Sequence, residues 1–106
     1  MRHDLPLAAP TTVVSPATAA AVTGMLRQVV TEGTGVKAQI PGYPVAGKTG
    51  TARKPPYDKP PYRYVASFAG FAPADAPRLA AVVVLDEPRS NVYGGQVAAP
   101  VFSRIM

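Results

Sequence analysis

The side chains best suited to chemistry lie in one stretch, residues 45–52, where a lysine and two threonines are interspersed with glycine. In an extended backbone successive side chains point to opposite faces, so Lys48 lies on one face while Thr49 and Thr51 share the other. Gly50 has no Cβ, which lets a second chain approach the backbone closely. At a sheet edge this strand can accept an extended peptide with an anionic end, such as a carboxylate. The alternative is an ordinary strand with a solvated lysine.

The same stretch also matches a different kind of site. Residues 42–49 fit the pattern Gly-x-x-x-x-Gly-Lys-Ser/Thr, the loop that holds nucleotide phosphates, and the apolar run 79–85 before Asp86 and Glu87 mimics the strand and acidic pair that hold magnesium. A phosphate loop, however, follows a buried strand and opens a helix. The segment before the pattern is short and weakly apolar, and residues 50–56 are too short and too broken by proline for a helix. The context therefore disfavours a nucleotide-binding protein.

Composition limits the chain to one domain with a modest core, because it has 106 residues, of which 47% are hydrophobic. Nine glycines and thirteen prolines predict many turns. The absence of cysteine excludes a disulfide framework and a thiolate metal site, and the single histidine, His3, cannot build a metal site alone, so we expect neither metal nor cofactor. No apolar run approaches the roughly 18 residues that span a bilayer, so we expect a soluble chain without a membrane segment.

The net charge of +5 is concentrated near the candidate strand. Five basic residues fall between positions 48 and 63, opposed there only by Asp58: Lys48, Arg53, Lys54, Lys59 and Arg63. They form either a rim that attracts anions to the Lys48 site or an ordinary solvated loop. A nucleic-acid partner is disfavoured, because neither an aromatic platform nor a helix carries this charge.

A helix is predicted over residues 16–32. Ser15 is a suitable N-cap, and Pro16 suits the first helical position. Apolar residues recur with helical spacing, which predicts a stripe that packs in the core: Val22, Met25, Leu26, Val29 and Val30. Residues 33–35, Gly-Thr-Gly, end the helix.

Two further strands are predicted, at residues 64–71 and 78–86, and with the Lys48 strand they should form an antiparallel meander against helices, an α+β fold. The proline-rich residues 54–62 must be a loop, whose neighbouring tyrosines (Tyr57, Tyr62 and Tyr64) either line a groove or pack on the sheet. The continuous apolar run in the third strand predicts that both its faces are covered, in part by something beyond this chain. Residues 89–95 read as a loop, and residues 96–106 as the start of a helix with Pro100 near its beginning.

The order of four motifs resembles the transpeptidase domain of monofunctional (class B) penicillin-binding proteins, most of all the division-specific type. The resemblance covers nearly the whole chain, from about Ser15 to its end. The matching segments are Gly47-Lys48-Thr49-Gly50-Thr51-Ala52, Ser67-Phe68-Ala69-Gly70-Phe71-Ala72-Pro73, residues 82–88, and Tyr93-Gly94-Gly95-Gln96-Val97-Ala98-Ala99-Pro100-Val101-Phe102. A β-lactamase or a penicillin-sensing receptor would share Lys-Thr-Gly, but the second and fourth segments favour the biosynthetic transpeptidase.

The resemblance implies a penicillin-recognising serine acyltransferase fold, with a five-stranded antiparallel sheet between helices. The implied reaction is acyl transfer between peptidoglycan stem peptides: a serine attacks the D-Ala-D-Ala carbonyl, and β-lactams acylate the same serine. By resemblance, Lys48, Thr49 and Gly50 are the Lys-Thr-Gly motif. Lys48 supplies positive charge, Thr49 and Thr51 bind the substrate carboxylate, and the Thr51 backbone N–H is one of two oxyanion-hole donors.

The nucleophile is missing, because none of the serines (Ser15, Ser67, Ser90 and Ser103) has a lysine three residues later. We therefore expect residues 1–106 to be the C-terminal portion of a transpeptidase domain, catalytically silent alone. The resemblance implies that the longer parent protein is anchored in the cytoplasmic membrane with this domain outside, and that its partners are stem peptides, β-lactams, the rest of the domain and division proteins. The alternative is a non-catalytic peptide-binding module.

Overall fold

The computed structural model describes residues 5–106, so His3 lies outside the described part of the chain. The described residues fold as an α+β unit with a single sheet. The elements are α1 (Pro16–Thr31), a 3-10 turn (Val36–Ala38), β1 (Ala46–Lys54), β2 (Arg63–Ala72), β3 (Leu79–Asp86), α2 (Gly94–Val97) and α3 (Ala99–Ile105). The predicted α+β class is confirmed.

The strands form an antiparallel sheet in the order β1–β2–β3, which confirms the predicted meander. Thr49, Phe68 and Val83 lie side by side across one face of the sheet, and Lys48 lies on the other. Within the described residues β1 and β3 are the two edge strands. β1, which carries the candidate site, therefore has one side without a partner strand.

The core lies on the Thr49 face, where α3 packs against the sheet. Phe68 of β2 and Phe102 of α3 are fully buried, with ring centroids 4.8 Å apart and ring planes tilted by 59°. This is a favourable geometry for an aromatic pair. Val30 of α1 and Ala38 of the 3-10 turn complete the same cluster. α1 also packs against β1, and no strand among the described residues pairs with the outer edge of β1.

Helix α1 begins and ends almost where the sequence predicts. The Ser15 hydroxyl accepts a hydrogen bond from the Thr18 backbone N–H at 3.1 Å, which caps the first turn. The helix ends at Thr31, and Glu32 is the C-cap. No helix within residues 5–106 is long and apolar enough to cross a membrane.

The apolar stripe of α1 is not the core face that its spacing predicts. Val30 is buried, but Met25 is 63% exposed and Val22 is 44% exposed. Only the C-terminal turns of the helix pack against the rest of the described chain. The prediction is therefore wrong for the first half of the helix, because periodicity indicates an apolar face without indicating a partner for it.

β3 is likewise covered on one face only. Val83 points into the core and is 8% exposed, whereas its neighbours Val82 and Val84 are 68% and 59% exposed on the opposite face. Residues 5–106 therefore cover one face of β3, and the predicted cover for the other face stays a prediction. The covering element that the sequence leads us to expect is not among the described residues.

The last segment forms two short helices where the sequence predicts one. α2 begins at Gly94, inside the segment predicted as a loop, and the chain turns at Ala98 before α3. Pro100 stands in the first turn of α3, as predicted. The two-part arrangement brings the N-terminus of α2 against β1.

Candidate functional site

β1 carries the predicted site residues at the free edge of the sheet. Lys48 lies opposite Ala69 and is exposed, whereas Thr49 lies opposite Phe68 and is half-buried. Thr51, two residues further on, shares the Thr49 face. The strand thus separates the lysine from the two threonines, and among the described residues no strand pairs with its outer edge.

The Lys48 side chain turns back towards Thr49. Its Nζ donates to the Thr49 carbonyl oxygen at 3.1 Å and lies 3.4 Å from Thr49 Oγ1. These contacts bring the ammonium group close to the threonine hydroxyl although the two Cβ atoms point to opposite faces. A cation and a hydroxyl therefore meet at the free edge of β1.

A residue outside the strand contacts the same hydroxyl. Thr34, in the turn after α1, places its Oγ1 2.8 Å from Thr49 Oγ1. The sequence identified Thr34 only as part of the signal that ends α1, so its contact with the candidate site was missed. Thr34 is flanked by two glycines, Gly33 and Gly35. This is the one feature of the local sequence that suggests a role for the turn beyond ending α1.

The second threonine hydroxyl is held by α2. Thr51 Oγ1 accepts a hydrogen bond from the Gly94 backbone N–H at 3.1 Å. A Cβ added at Gly94 would overlap the carbonyl oxygens of Gly50 and Ser67, and a Cβ added at Gly50 would overlap the Ser67 hydroxyl. The close approach to the backbone that was predicted at Gly50 is therefore made in part by two residues of this chain, Ser67 and Gly94. α2 supports one face of the strand, and Ser67 lies on the other.

Neither threonine hydroxyl has to use its proton in these contacts. A hydroxyl has one proton and two lone pairs. Thr51 Oγ1 already accepts from Gly94, and Thr49 Oγ1 can accept from Lys48 and from Thr34, so both hydroxyls can still donate. Two hydroxyl donors on one face, with an ammonium group beside them, can bind a carboxylate.

Two of the five basic residues near the candidate strand, Lys54 and Arg63, are neutralised within the chain. Lys54 Nζ lies 2.9 Å from Asp86 Oδ1 and 2.9 Å from Glu87 Oε1, and Arg63 Nη1 lies 3.5 Å from the same Glu87 oxygen. The hydrogen bonds from Lys54 to Asp86 and Glu87 raise the pKa of Lys54 above its ordinary value. The hydrogen bond from Lys54 is the main cause that lowers the pKa of Glu87. Lys54 and Arg63 are therefore not free anion sites.

Arg53 is held by tyrosines instead of carboxylates. Its guanidinium carbon lies 4.2 Å from the centre of the Tyr62 ring and 5.6 Å from that of Tyr64, and Nη2 donates to the Tyr64 hydroxyl at 3.2 Å. Cation–π contacts at exposed sites contribute about 0.5–1 kcal/mol. The tyrosines thus orient Arg53 without neutralising its charge. Tyr57, the third tyrosine of this region, is 61% exposed.

The geometry contradicts the phosphate-loop alternative. Lys48 and Thr49 lie within β1, which continues to Lys54, so no helix N-terminus follows the motif. The acidic pair that mimics a magnesium site, Asp86 and Glu87, is bound to Lys54. Within residues 5–106 no three His, Cys, Asp or Glu side chains form a group that could hold a metal ion.

Comparison with protein families gives a match over almost the whole chain. The family described as the penicillin binding protein transpeptidase domain matches residues 4–106. The chain is 45% identical over 98 residues to stage V sporulation protein D of Bacillus subtilis, with 89% of this chain covered. It is 53% identical over 76 residues to the peptidoglycan D,D-transpeptidase FtsI of Escherichia coli, with 70% covered. The chain spans 15% and 13% of the lengths of these two relatives.

Solved structures give the same result. The transpeptidase domain of penicillin-binding protein 3 from Burkholderia pseudomallei is 47% identical, with a TM-score of 0.76 over 86% of this chain and 28% of that one. The transpeptidase domain of FtsI4 from Legionella pneumophila is 40% identical, with a TM-score of 0.73 over 87% of this chain and 35% of that one. The described fold is therefore similar to part of each domain.

Proposed function

The chain belongs to the penicillin-binding protein transpeptidase domain family, and from this premise we propose that it supplies the carboxylate-binding strand of a peptidoglycan D,D-transpeptidase. The observation that carries the proposal is the convergence of Lys48, Thr49 and Thr51 at the unpaired edge of β1. A stem peptide ending in D-Ala-D-Ala lies along this edge as an added strand. β-Lactams, which carry a comparable carboxylate, use the same position.

In this proposal the chain positions the substrate and stabilises charge. The hydroxyls of Thr49 and Thr51 donate to the terminal carboxylate, and Lys48 provides the compensating positive charge. The Thr51 backbone N–H donates to the oxygen that becomes negative when the carbonyl is attacked. Such a donor contributes about 10²–10³ in rate, because it acts where charge develops in the transition state.

The nucleophile belongs to another part of the parent domain. Two serines of this chain already have structural roles, since Ser15 caps α1 and Ser103 donates to the Gln39 carbonyl oxygen at 2.7 Å. Ser67 lies beside Gly50 within the sheet. None of the three is followed by a lysine that could act as its base. The isolated chain is therefore expected to be inactive, and its parent to act outside the cytoplasmic membrane with division proteins.

Acylation of the full-length parent protein by a fluorescent penicillin tests the proposal. Lys48→Ala should slow acylation by about 10²-fold or more, because both the carboxylate and the hydroxyl network lose their cation. Lys59→Ala, which removes an exposed lysine from the proline-rich loop, is the matched control and should acylate at the normal rate. Equal rates for the two variants would refute the role of Lys48. A penicillin adduct on a serine of the isolated chain, detected by mass spectrometry, would refute its inactivity.

The free edge of β1 also supports a second candidate, a module that binds peptides without chemistry. Because the strand needs no nucleophile to bind a carboxylate, the isolated chain should then bind a peptide ending in D-Ala-D-Ala, and Lys48→Ala should abolish binding. Isothermal titration of the peptide, with its C-terminal amide (which lacks the carboxylate) as comparison, measures this. A full-length parent that binds the peptide but never releases D-alanine would favour this candidate over the enzyme.

A further inference from the structure

We propose that Lys37 is a positioning residue for the carboxylate site and that it acts through Gln96 and helix α2 on the Thr51 hydroxyl. The inference rests on the proposed function, because it concerns the same carboxylate. Lys37 lies outside β1 and outside the four segments that carry the family resemblance. Its role is to keep the Thr51 hydroxyl directed at the ligand.

Three consecutive residues of α2 contact different parts of the site. The Gly94 backbone N–H donates to Thr51 Oγ1 at 3.1 Å. A Cβ added at Gly95 would overlap a carbonyl oxygen of the turn after α1, so this turn lies directly against the helix. Gln96 Oε1 accepts a hydrogen bond from Lys37 Nζ at 2.6 Å. α2 therefore lies between β1 and the segment that follows α1, and it contacts both.

α2 has little capacity to hold this position by itself. It consists of the four residues Gly94–Val97, whereas isolated helices shorter than about 12 residues are marginal in water. Two of the four are glycines, which favour a helix less than any other residue except proline. The remaining two are Gln96 and a valine, so Gln96 has the only side chain of α2 that can form a hydrogen bond. Its contact with Lys37 is therefore the side-chain hydrogen bond that holds α2 in place.

Lys37 extends towards α2 from a well-anchored segment. It belongs to the 3-10 turn Val36–Ala38, whose last residue is fully buried in the core. Just before this turn, the Gly35 backbone N–H donates to the Val29 carbonyl oxygen at 2.9 Å. Because a lysine ammonium group has three donors and no acceptor, the Gln96 side chain must present its oxygen to it. One hydrogen bond thus connects α2 to a turn that the core holds in place.

The consequence for the site is the direction of one hydroxyl proton. Thr51 Oγ1 accepts from the Gly94 N–H, so its own proton is directed away from α2 and can be donated to a carboxylate. A hydroxyl rotates to suit its partners, so Thr51 can turn its proton elsewhere once the Gly94 N–H has moved. Loss of the Lys37 contact therefore weakens the binding of a carboxylate and does not affect a ligand that lacks one.

The test compares two penicillins that differ in their carboxylate. The full-length parent enzyme is treated with benzylpenicillin or with its methyl ester, and the rate of acylation is measured by mass spectrometry. Lys37→Met should lower the rate for the free acid about fivefold, the effect of one hydrogen bond, and leave the rate for the ester unchanged. Lys37→Arg keeps a donor and should restore most of the loss.

Replacement of Gln96 separates the hydrogen bond from the charge. Lys37→Met also removes a cation, which attracts anions at a distance. Gln96→Leu keeps the lysine and removes only its acceptor, so it should show the same loss for the free acid alone. The double variant should be no slower than either single variant, because the two side chains act through one contact. Lys59→Met, in the proline-rich loop, is the matched control and should acylate at the normal rate with both penicillins.

The outcomes separate this inference from the proposed function. An equal loss for the free acid and the ester in Lys37→Met would overturn the inference alone, because it would indicate a general effect on the fold. Normal rates in Gln96→Leu would also overturn it, since the charge of Lys37 and not its contact would then matter. If the normal enzyme is labelled by neither penicillin, or equally fast by both, the proposed carboxylate site fails, and this inference fails with it.

Discussion

The hydroxyl of Thr34, in the turn after α1, lies 2.8 Å from the hydroxyl of Thr49 within β1. The contact joins a helix terminus to the strand that carries the candidate site. Gly95 of α2 packs against the Thr34 carbonyl oxygen, and the Lys37 side chain donates to Gln96 Oε1 at 2.6 Å. The turn and α2 are thus linked to each other and support β1 from the same side.

Replacement of Thr34 should impair the site without unfolding the chain. Thr34→Val keeps the shape of the side chain but removes the partner that orients the Thr49 hydroxyl. A neutral hydrogen bond contributes about 1 kcal/mol, so we expect acylation of the parent enzyme by penicillin to slow about fivefold. Thr31→Val is the control, because the Thr31 hydroxyl contacts only the Gln28 carbonyl oxygen of its own helix. Equal acylation rates for the two variants would argue against an orienting role.

An alanine at position 94 should separate α2 from β1. The added methyl group would overlap the backbone oxygens of Gly50 and Ser67, which cannot move without shifting the sheet. Overpacking of this kind costs about 1–3 kcal/mol, so the thermal midpoint of the domain should fall. Gly24→Ala is the opposite case, because nothing lies within 4 Å of the position of its Cβ. That variant should be neutral or slightly more stable, since alanine favours a helix. A Gly94→Ala protein as stable as Gly24→Ala would contradict the packing.

The helices and strands could be predicted because their signals are local. Ser15 and Pro16 mark the start of α1, and alternation and proline positions delimit the strands to within about two residues. The contacts around the site could not be predicted in this way. Thr34 and Thr49 are 15 residues apart, Thr51 and Gly94 are 43 apart, and only the register of the sheet and the packing of α2 bring them together.

The apolar faces of α1 and β3 show a different limit of prediction from sequence. Val82 and Met25 follow patterns typical of buried positions, yet both are exposed in the described chain. Periodicity reports that a face is apolar, whereas burial needs a partner at the right place in space. That something beyond residues 5–106 covers the outer face of β3 stays a prediction.

The aromatic pair formed by Phe68 of β2 and Phe102 of α3 should contribute most to the stability of the described fold. Phe102→Ala leaves a cavity against Phe68, whose ring centre lies 4.8 Å away, and we expect a loss of about 3–5 kcal/mol in the free energy of unfolding. The neighbouring Val101 is 37% exposed, so Val101→Ala should cost much less. Urea unfolding of the parent domain measures both. Similar losses for the two variants would mean that α3 does not pack on the sheet through Phe102.

Stability should depend on pH through the contact that Lys54 makes across β2 with the end of β3. Because Lys54 lowers the pKa of Glu87 below its ordinary value of 4.5, this contribution is present above pH 4.5 and is lost as the pH falls through the lowered value. The raised pKa of Lys54 acts in the opposite range: its contribution is present below 10.5 and is lost as the pH rises through the raised value. Lys54→Gln removes both effects, although Arg63 still contacts Glu87 at 3.5 Å.

The difference in thermal midpoint between the normal protein and Lys54→Gln should therefore be largest between these limits and should narrow in acid and in strong base. High salt should reduce the difference at every pH, because both partners are on the surface. Lys59→Gln, which removes a lysine that has no ion-pair partner within residues 5–106, should show no such profile. A difference that stays constant from neutral pH down to pH 2 would show that Lys54 stabilises the fold by packing of its methylene groups and not by its charge.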